Sequence, residues 1–300
     1  METIYTRSIQ LKKPSKIDSS GWKAIFLKVK DEIGDNNVSI ISAGVAFYGF
    51  LAVFPAIAAL VSIYGLAMNP QSIQQQLANL STVMPQQAFE IVQAQLEELV
   101  STSGSTLGWS MALSILFSTW SANKGTKSLF TGIDIAYGTD NDRGFFRQNA
   151  LTLLFTLGAI VMVILSMLVI VAFPAFVDQL GLPAYLEGII RWTRWLVLAA
   201  IVVFFLGAVY RYAPAKKSPK FRWVMPGALL ATVLWLIASW GFSFYVKNFG
   251  NYGEVYGSIS AVVVLLLWLF LTSFIILIGA ELNSETEKYA RNPSTYRNKR

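Results

Sequence analysis

The chain has neither cysteine nor histidine in its 300 residues. Those two absences exclude disulfides, thiolate nucleophiles, imidazole bases and every metal site that needs a His or Cys ligand. Charge is scarce as well: 14% of the residues are charged, against about 25% in a soluble domain. Apolar residues make up 54% and the mean hydropathy is +0.51, the composition of a membrane protein. No glycine-rich loop of the GxxxxGK(S/T) kind is present, so no nucleotide site and no cofactor is expected. The chemistry left to the chain is that of carboxylates, hydroxyls, Lys, Arg and the backbone.

A run of about 20 mainly apolar residues is enough to cross a hydrocarbon layer of roughly 30 Å. Six runs qualify, near Val38–Leu66, Leu107–Asn123, Gln148–Val171, Trp192–Tyr210, Val224–Val246 and Gly257–Ala280. The expected fold is therefore all-α, a polytopic bundle of six transmembrane helices. The first run is longer than one crossing requires, so it is expected to tilt, bend at Pro55 or continue into the outer interface. Three regions follow: an N-terminal segment (1–37), a six-span membrane domain (38–283) and a C-terminal tail (284–300).

Lys and Arg in short connections are retained on the cytoplasmic side. All but three of the 24, namely Arg191, Arg194 and Lys247, fall in the N-terminal segment, the second and fourth connections and the C-terminal tail. Both termini are thus expected in the cytoplasm and the protein in a bacterial inner membrane. This distribution accounts for the net charge of +7 as topology, and no nucleic-acid partner is expected. The expected partners are membrane lipids. Trp235 and Trp268 fall in mid-span and are expected to pack between helices.

The connection 67–106 is the one large enough for its own structure. Ile73, Leu77 and Leu80, then Phe89, Val92, Leu96 and Leu99, recur at helical spacing, which predicts an extracytoplasmic amphipathic helical hairpin between the first two spans. On the inner side, residues 124–137 are expected to extend or follow the second helix. The segment RYAPAKKSPKFRW (211–223) is expected to form a basic turn stiffened by Pro214 and Pro219.

No span has Asp, Glu, Lys or Arg in its interior, which disfavours a carboxylate-driven pump. A polar path could still be lined by hydroxyls and broken helices. Ser110, Ser114, Ser118 and Ser121 share one face of the second helix. Such a stripe lines a polar groove or lets another helix approach closely, and both readings stay open. Tyr48 and Pro55 in the first span are the companion candidates, because proline removes a backbone hydrogen bond and the carbonyl it frees needs a helix or water nearby. Lys124, Asp134, Arg211 and Glu281 gather at the inner ends of spans. They are candidates for an inner polar ring, with Arg211 or Lys124 expected to pair Glu281.

The pattern resembles the YihY/BrkB family of bacterial inner-membrane proteins over roughly residues 21–283. The resemblance is carried by AFYGFLAVFP (46–55), WSANKGTKSLFTGIDIAYG (120–138), YRYAP (210–214) and the long block from Pro226 through Asn283. Asp134 and Gly253 stand where asparagine is expected in many relatives. The resemblance implies six spans with both ends inside, agreeing with the separate count, and little biochemistry; virulence and ribonuclease BN labels, and transport or envelope-lipid roles, go with it. Zinc phosphodiesterase chemistry needs histidine ligands that this chain lacks. A magnesium site on Asp134, Asp140 and Asp142 would have no catalytic scaffold, so no enzyme is expected. The function expected is transport or flipping of a small amphipathic or lipid substrate, with a non-transporting scaffold or envelope assembly factor as the alternative.

Overall fold

The structure, a computed structural model, describes residues 13–67, 104–140, 142–167, 169, 184–215, 219–249 and 259–293. Among them it has seven α-helices and no strand: α1 (Ser19–Asp35), α2 (Val38–Ala67), α3 (Gly104–Ala136), α4 (Phe145–Met167), α5 (Ala184–Tyr212), α6 (Phe221–Phe249) and α7 (Ile259–Arg291). Helices α2, α4, α5, α6 and α7 are long and apolar enough to cross a membrane. Each coincides with a predicted span. The helix on the remaining predicted span, α3, falls outside that group of five. Its serine stripe and Lys124 dilute the apolar run, and it continues through residues 124–136 without a break. The predicted hairpin and Lys216–Ser218 of the basic turn lie outside the described residues.

Helix α1 is an element that the hydropathy runs do not reveal. Asp18 caps its start, its side chain accepting the Gly21 N–H at 3.0 Å. Ile25 and Val29 then repeat at the interval that puts one residue above the next on one face. With Ile17 they pack on Leu282 and Tyr289 of α7, flanked by Trp22, Ile33 and Leu230. Burying each of these aliphatic side chains is worth about 1.5–3 kcal/mol. The fit is close at Gly21, where an added Cβ would lie 2.6 Å from Tyr289 Oη. Helix α1 turns directly into α2 through Asn36 and Asn37, the latter left-handed at φ 51°, a conformation Asn tolerates better than most residues.

The chain divides into two compact units. The first comprises Met1–Ser42, Lys127–Ser239 and Thr272–Arg300, and the second Ala43–Thr126 and Trp240–Leu271. In the first, α6 and α7 meet at Gly227 and Gly279. A Cβ on Gly227 would sit 2.0 Å from the Gly279 carbonyl oxygen, and one on Gly279 would sit 2.4 Å from Tyr210 Oη. Only glycine allows such an approach, the small-residue seam by which membrane helices pack. Trp235 bridges the same two helices, its Nε1 donating to Thr272 Oγ1 at 3.3 Å.

In the second unit α3 lies along α2. A Cβ on Gly125 would meet Tyr48 Cβ and the Val45 carbonyl at 3.5 and 3.6 Å. Trp268 of α7 packs on Phe242 of α6 with ring centroids 5.2 Å apart. Both mid-span tryptophans thus have helix partners. By contrast α4 leaves Phe146, Leu154, Ile160 and Ile164 exposed along its length, a surface suited to hydrocarbon and too apolar for water.

Candidate functional site

Buried polar groups of the first unit concentrate where the apolar runs end. The α3 terminus shows how. Gly138, at φ 58°, ends the helix in a Schellman arrangement in which the Gly138 N–H donates to Ile135 O and the Thr139 N–H to Asp134 O. The Asp134 side chain is held in the same corner. Its Oδ1 accepts the Ala215 N–H at 2.7 Å and the Thr139 hydroxyl at 3.0 Å, while Oδ2 has no partner among the described residues. Burial raises its pKa from the ordinary carboxyl value, opposed by those two donors and by Arg143. Arg143 in turn donates to the Tyr212, Ala213 and Pro214 carbonyls at 2.7–2.9 Å and so closes the end of α5.

Glu281, the first residue past the apolar run of α7, is 1% exposed. Its Oε1 accepts from Asn36 Nδ2 at 2.8 Å, and Oε2 has no partner among the described residues. Asn36 also donates to Glu32 Oε2, so one amide ties the end of α1 to α7. The expected pairing of Glu281 with Arg211 or Lys124 is not what the structure holds. Arg211 lies over the rings of Tyr212 and Phe221, and Lys124 over that of Trp120. Those cations gain from aromatic faces where the sequence suggested a carboxylate. Asp134, Arg211 and Glu281 belong to the first unit and Lys124 to the second.

Asn283, fully buried, accepts the Gly227 N–H on Oδ1 at 2.7 Å, and its Nδ2 has no partner among the described residues. Neither Asn36 nor Asn283 was singled out by reading the sequence. The signal for Asn283 was its place in ELN at the end of the last span; for Asn36 there was none, since its partner lies 245 residues away.

Of the second-unit candidates, Ser121 is fully buried and donates to the Tyr48 carbonyl at 3.1 Å. Ser118 turns back on its own helix, donating to Ile115 O at 3.1 Å. Ser114 and Pro55 are part-buried, Pro55 within an uninterrupted α2; Ser110 lies in α3, its side chain outside the described residues. Asn123 Oδ1 on α3 is buried with no partner among the described residues. Those residues include no group of three or more carboxylates that could hold a metal ion, so Asp134, Asp140 and Asp142 do not converge.

Long apolar helices with lipid-suited faces, glycine seams and buried carboxyls kept beyond the apolar runs define a polytopic helical membrane protein. Within that class, the family model described as Virulence factor BrkB matches residues 29–300, and the chain belongs to this family. YfkH of Bacillus subtilis (strain 168), provisionally named ribonuclease-like, is 30% identical over 260 residues, 84% of this chain and 91% of that protein. UPF0761 membrane proteins of Xanthomonas campestris and Xanthomonas axonopodis are each 38% identical over 133 residues, 42% of this chain. The match spans only 30% of the length of those two relatives. No solved structure matches the chain. Neither the family description nor the UPF0761 name states a reaction.

Proposed function

We propose that this protein is a six-span bacterial inner-membrane protein with both termini in the cytoplasm, moving or flipping a small amphipathic or lipid substrate along α3. One observation carries the reading. Over the described residues, α3 is the one helix at the six predicted spans outside the group apolar enough to cross, yet it runs for 33 residues. A helix that polar needs protein or water beside its hydroxyl face. Asn123, with its unpartnered buried oxygen, sits on the same helix as the serines. The orientation rests on the Lys and Arg distribution.

The scaffold reading is favoured by a different observation. Ser121 and Gly125 are used to bring α3 close to α2, as small residues do in tightly packed membrane helices. A ribonuclease reading, suggested by the name of one relative, has little support in a chain without histidine. We read the protein as a non-enzyme.

Because the chain has no cysteine, single cysteines can be placed at Ser110, Ser114, Ser118 and Ser239, with Leu154 and Leu157 on α4 as lipid-facing controls. Labelling by a membrane-impermeant thiol reagent on the serine face, with the controls silent, is expected for a water-accessible path. Silence at all four positions in folded protein would favour the scaffold.

A further inference from the structure

Two glutamates one helical turn apart on α7, Glu281 and Glu285, share a face and are equally buried, at 1% exposure. Their partners differ. Glu285 Oε1 accepts from Lys288 Nζ at 2.7 Å, whereas Glu281 has the neutral amide of Asn36 on one oxygen and no partner among the described residues on the other.

The groups around Glu281 come from α1, α7 and the end of α3. Acting on it directly are Asn36 and Glu32 at the end of α1, Tyr137 just past α3, and Glu285 and Lys288 of α7, while Lys28, Tyr210 and Glu287 are the next groups out, interacting with Glu32 or Tyr137. Each cation in this set already has a carboxylate. Lys28 holds Glu32 at 2.6 Å and Lys288 holds Glu285, while Arg291 holds Glu287 at 2.5 Å. Tyr210 donates its hydroxyl to Ile276 O at 2.7 Å. Within this set Glu281 is therefore the carboxyl left without a cation. Burying an unpaired carboxylate costs several kcal/mol, and the group neutralises itself instead.

We propose that Glu281 is a proton-binding site of the folded protein, carrying its proton on Oε2 while Oε1 accepts from Asn36. The bound ligand is a proton taken from water on the α1 side. Glu285, one turn on, is paired with Lys288. The site depends on the packing of α1 against α7 and is independent of whether the chain moves a substrate.

The test is infrared spectroscopy of the full chain in lipid nanodiscs, following the carbonyl stretch of protonated carboxyls against pH. Carbon-13 labelling of the glutamate side-chain carboxyl separates glutamates from Asp134. A protonated-glutamate band at pH 7 that disappears in Glu281→Gln and persists in Glu285→Gln is expected. No such band in the wild type, or a band that survives Glu281→Gln, would overturn the proposal. Asn36→Leu removes the donor that favours the ionised form, so the band is expected to persist to a pH higher by roughly one unit. Should Glu281→Gln fail to fold, Asn36→Leu decides by itself: an unmoved midpoint refutes the site and an upward shift supports it.

Discussion

The two compact units handle buried polarity in different ways. In the second unit, as far as it is described, hydroxyls find helix carbonyls, buried Ser121 bonding Tyr48 O and the less buried Ser118 and Thr126 bonding Ile115 O and Ala122 O, while Asn123 Oδ1 is buried with no partner among the described residues. The first unit buries whole carboxyls, Asp134, Glu281 and Glu285, with the amides of Asn36 and Asn283 beside them. Each lies beyond the end of an apolar run: Asp134 takes donors from the connections after α3 and α5, Glu281 from Asn36 after α1, and Glu285 from Lys288 of its own helix. A hydroxyl is readily satisfied inside the membrane, because the preceding turn or a closely packed helix offers a carbonyl. A carboxyl needs a cation or a dedicated N–H or O–H donor, and in this protein it stays beyond the apolar runs, where those are available.

That contrast can be broken most directly at the glycine seam of the first unit. Gly227→Val would place a Cβ within 2.0 Å of backbone, so α6 and α7 must separate and the Asn283 contact goes with them. The expected loss is at least about 3 kcal/mol, read as failure to recover monodisperse protein or a large fall in Tm by tryptophan fluorescence.

A smaller effect is expected from Arg143→Leu, which leaves three carbonyls at the end of α5 without their guanidinium. A loss of about 2–3 kcal/mol is expected, and Arg143→Lys should restore only part of it, because one ammonium cannot reproduce the planar fork. Equal stability of the Lys variant and the wild type would show that charge alone matters there.

Asp134 offers a pH test with a defined sign. Burial raises its pKa above the ordinary value, so the folded state binds the proton more tightly than the unfolded chain. Stability should then fall as pH rises from the ordinary carboxyl value through the raised one. Asp134→Asn keeps an oxygen for Ala215 and Thr139 and carries no charge, so it should match the wild type in acid and exceed it near neutrality. Asp134→Ala should cost about 1–3 kcal/mol at any pH, by leaving the Ala215 N–H without its acceptor. A flat difference between the Asp and Asn forms across pH would contradict the burial argument.

The smallest change belongs to the second unit. Ser121→Ala removes a hydroxyl donated to a carbonyl, and about 0.6 kcal/mol is expected from such bonds between membrane helices. Ser118→Ala, which removes a bond within one helix, should change Tm less. If Ser121→Ala cost as much as Arg143→Leu, the distinction between the two units would be lost.

Much of the fold was legible because membrane crossing is dictated by local composition. The predicted spans at Val38, Gln148, Trp192, Val224 and Gly257 each fall on a helix suited to cross. Gly279 faces the small residues Gly227 and Ala231 of α6. Helix α1 was legible in principle, from the Asp18 cap and the Ile25, Val29, Ile33 spacing, but a hydropathy window passes over a helix with charge on its outer face. The candidate site was the least legible part. Arg211 and Lys124 were matched to Glu281 by charge, whereas the fold turned both toward aromatic rings and brought Asn36 to Glu281.

By itself the sequence determined five segments that are apolar enough to cross and which chemistries are missing for want of Cys and His. These follow from transfer free energies that each segment has alone. Only the tertiary structure decided which carboxyl has a cation and which has an amide, and that α1 folds back onto α7. Those outcomes depend on contacts between residues as far apart as Asn36 and Glu281, and burial there sets an energetic cost that no local window contains.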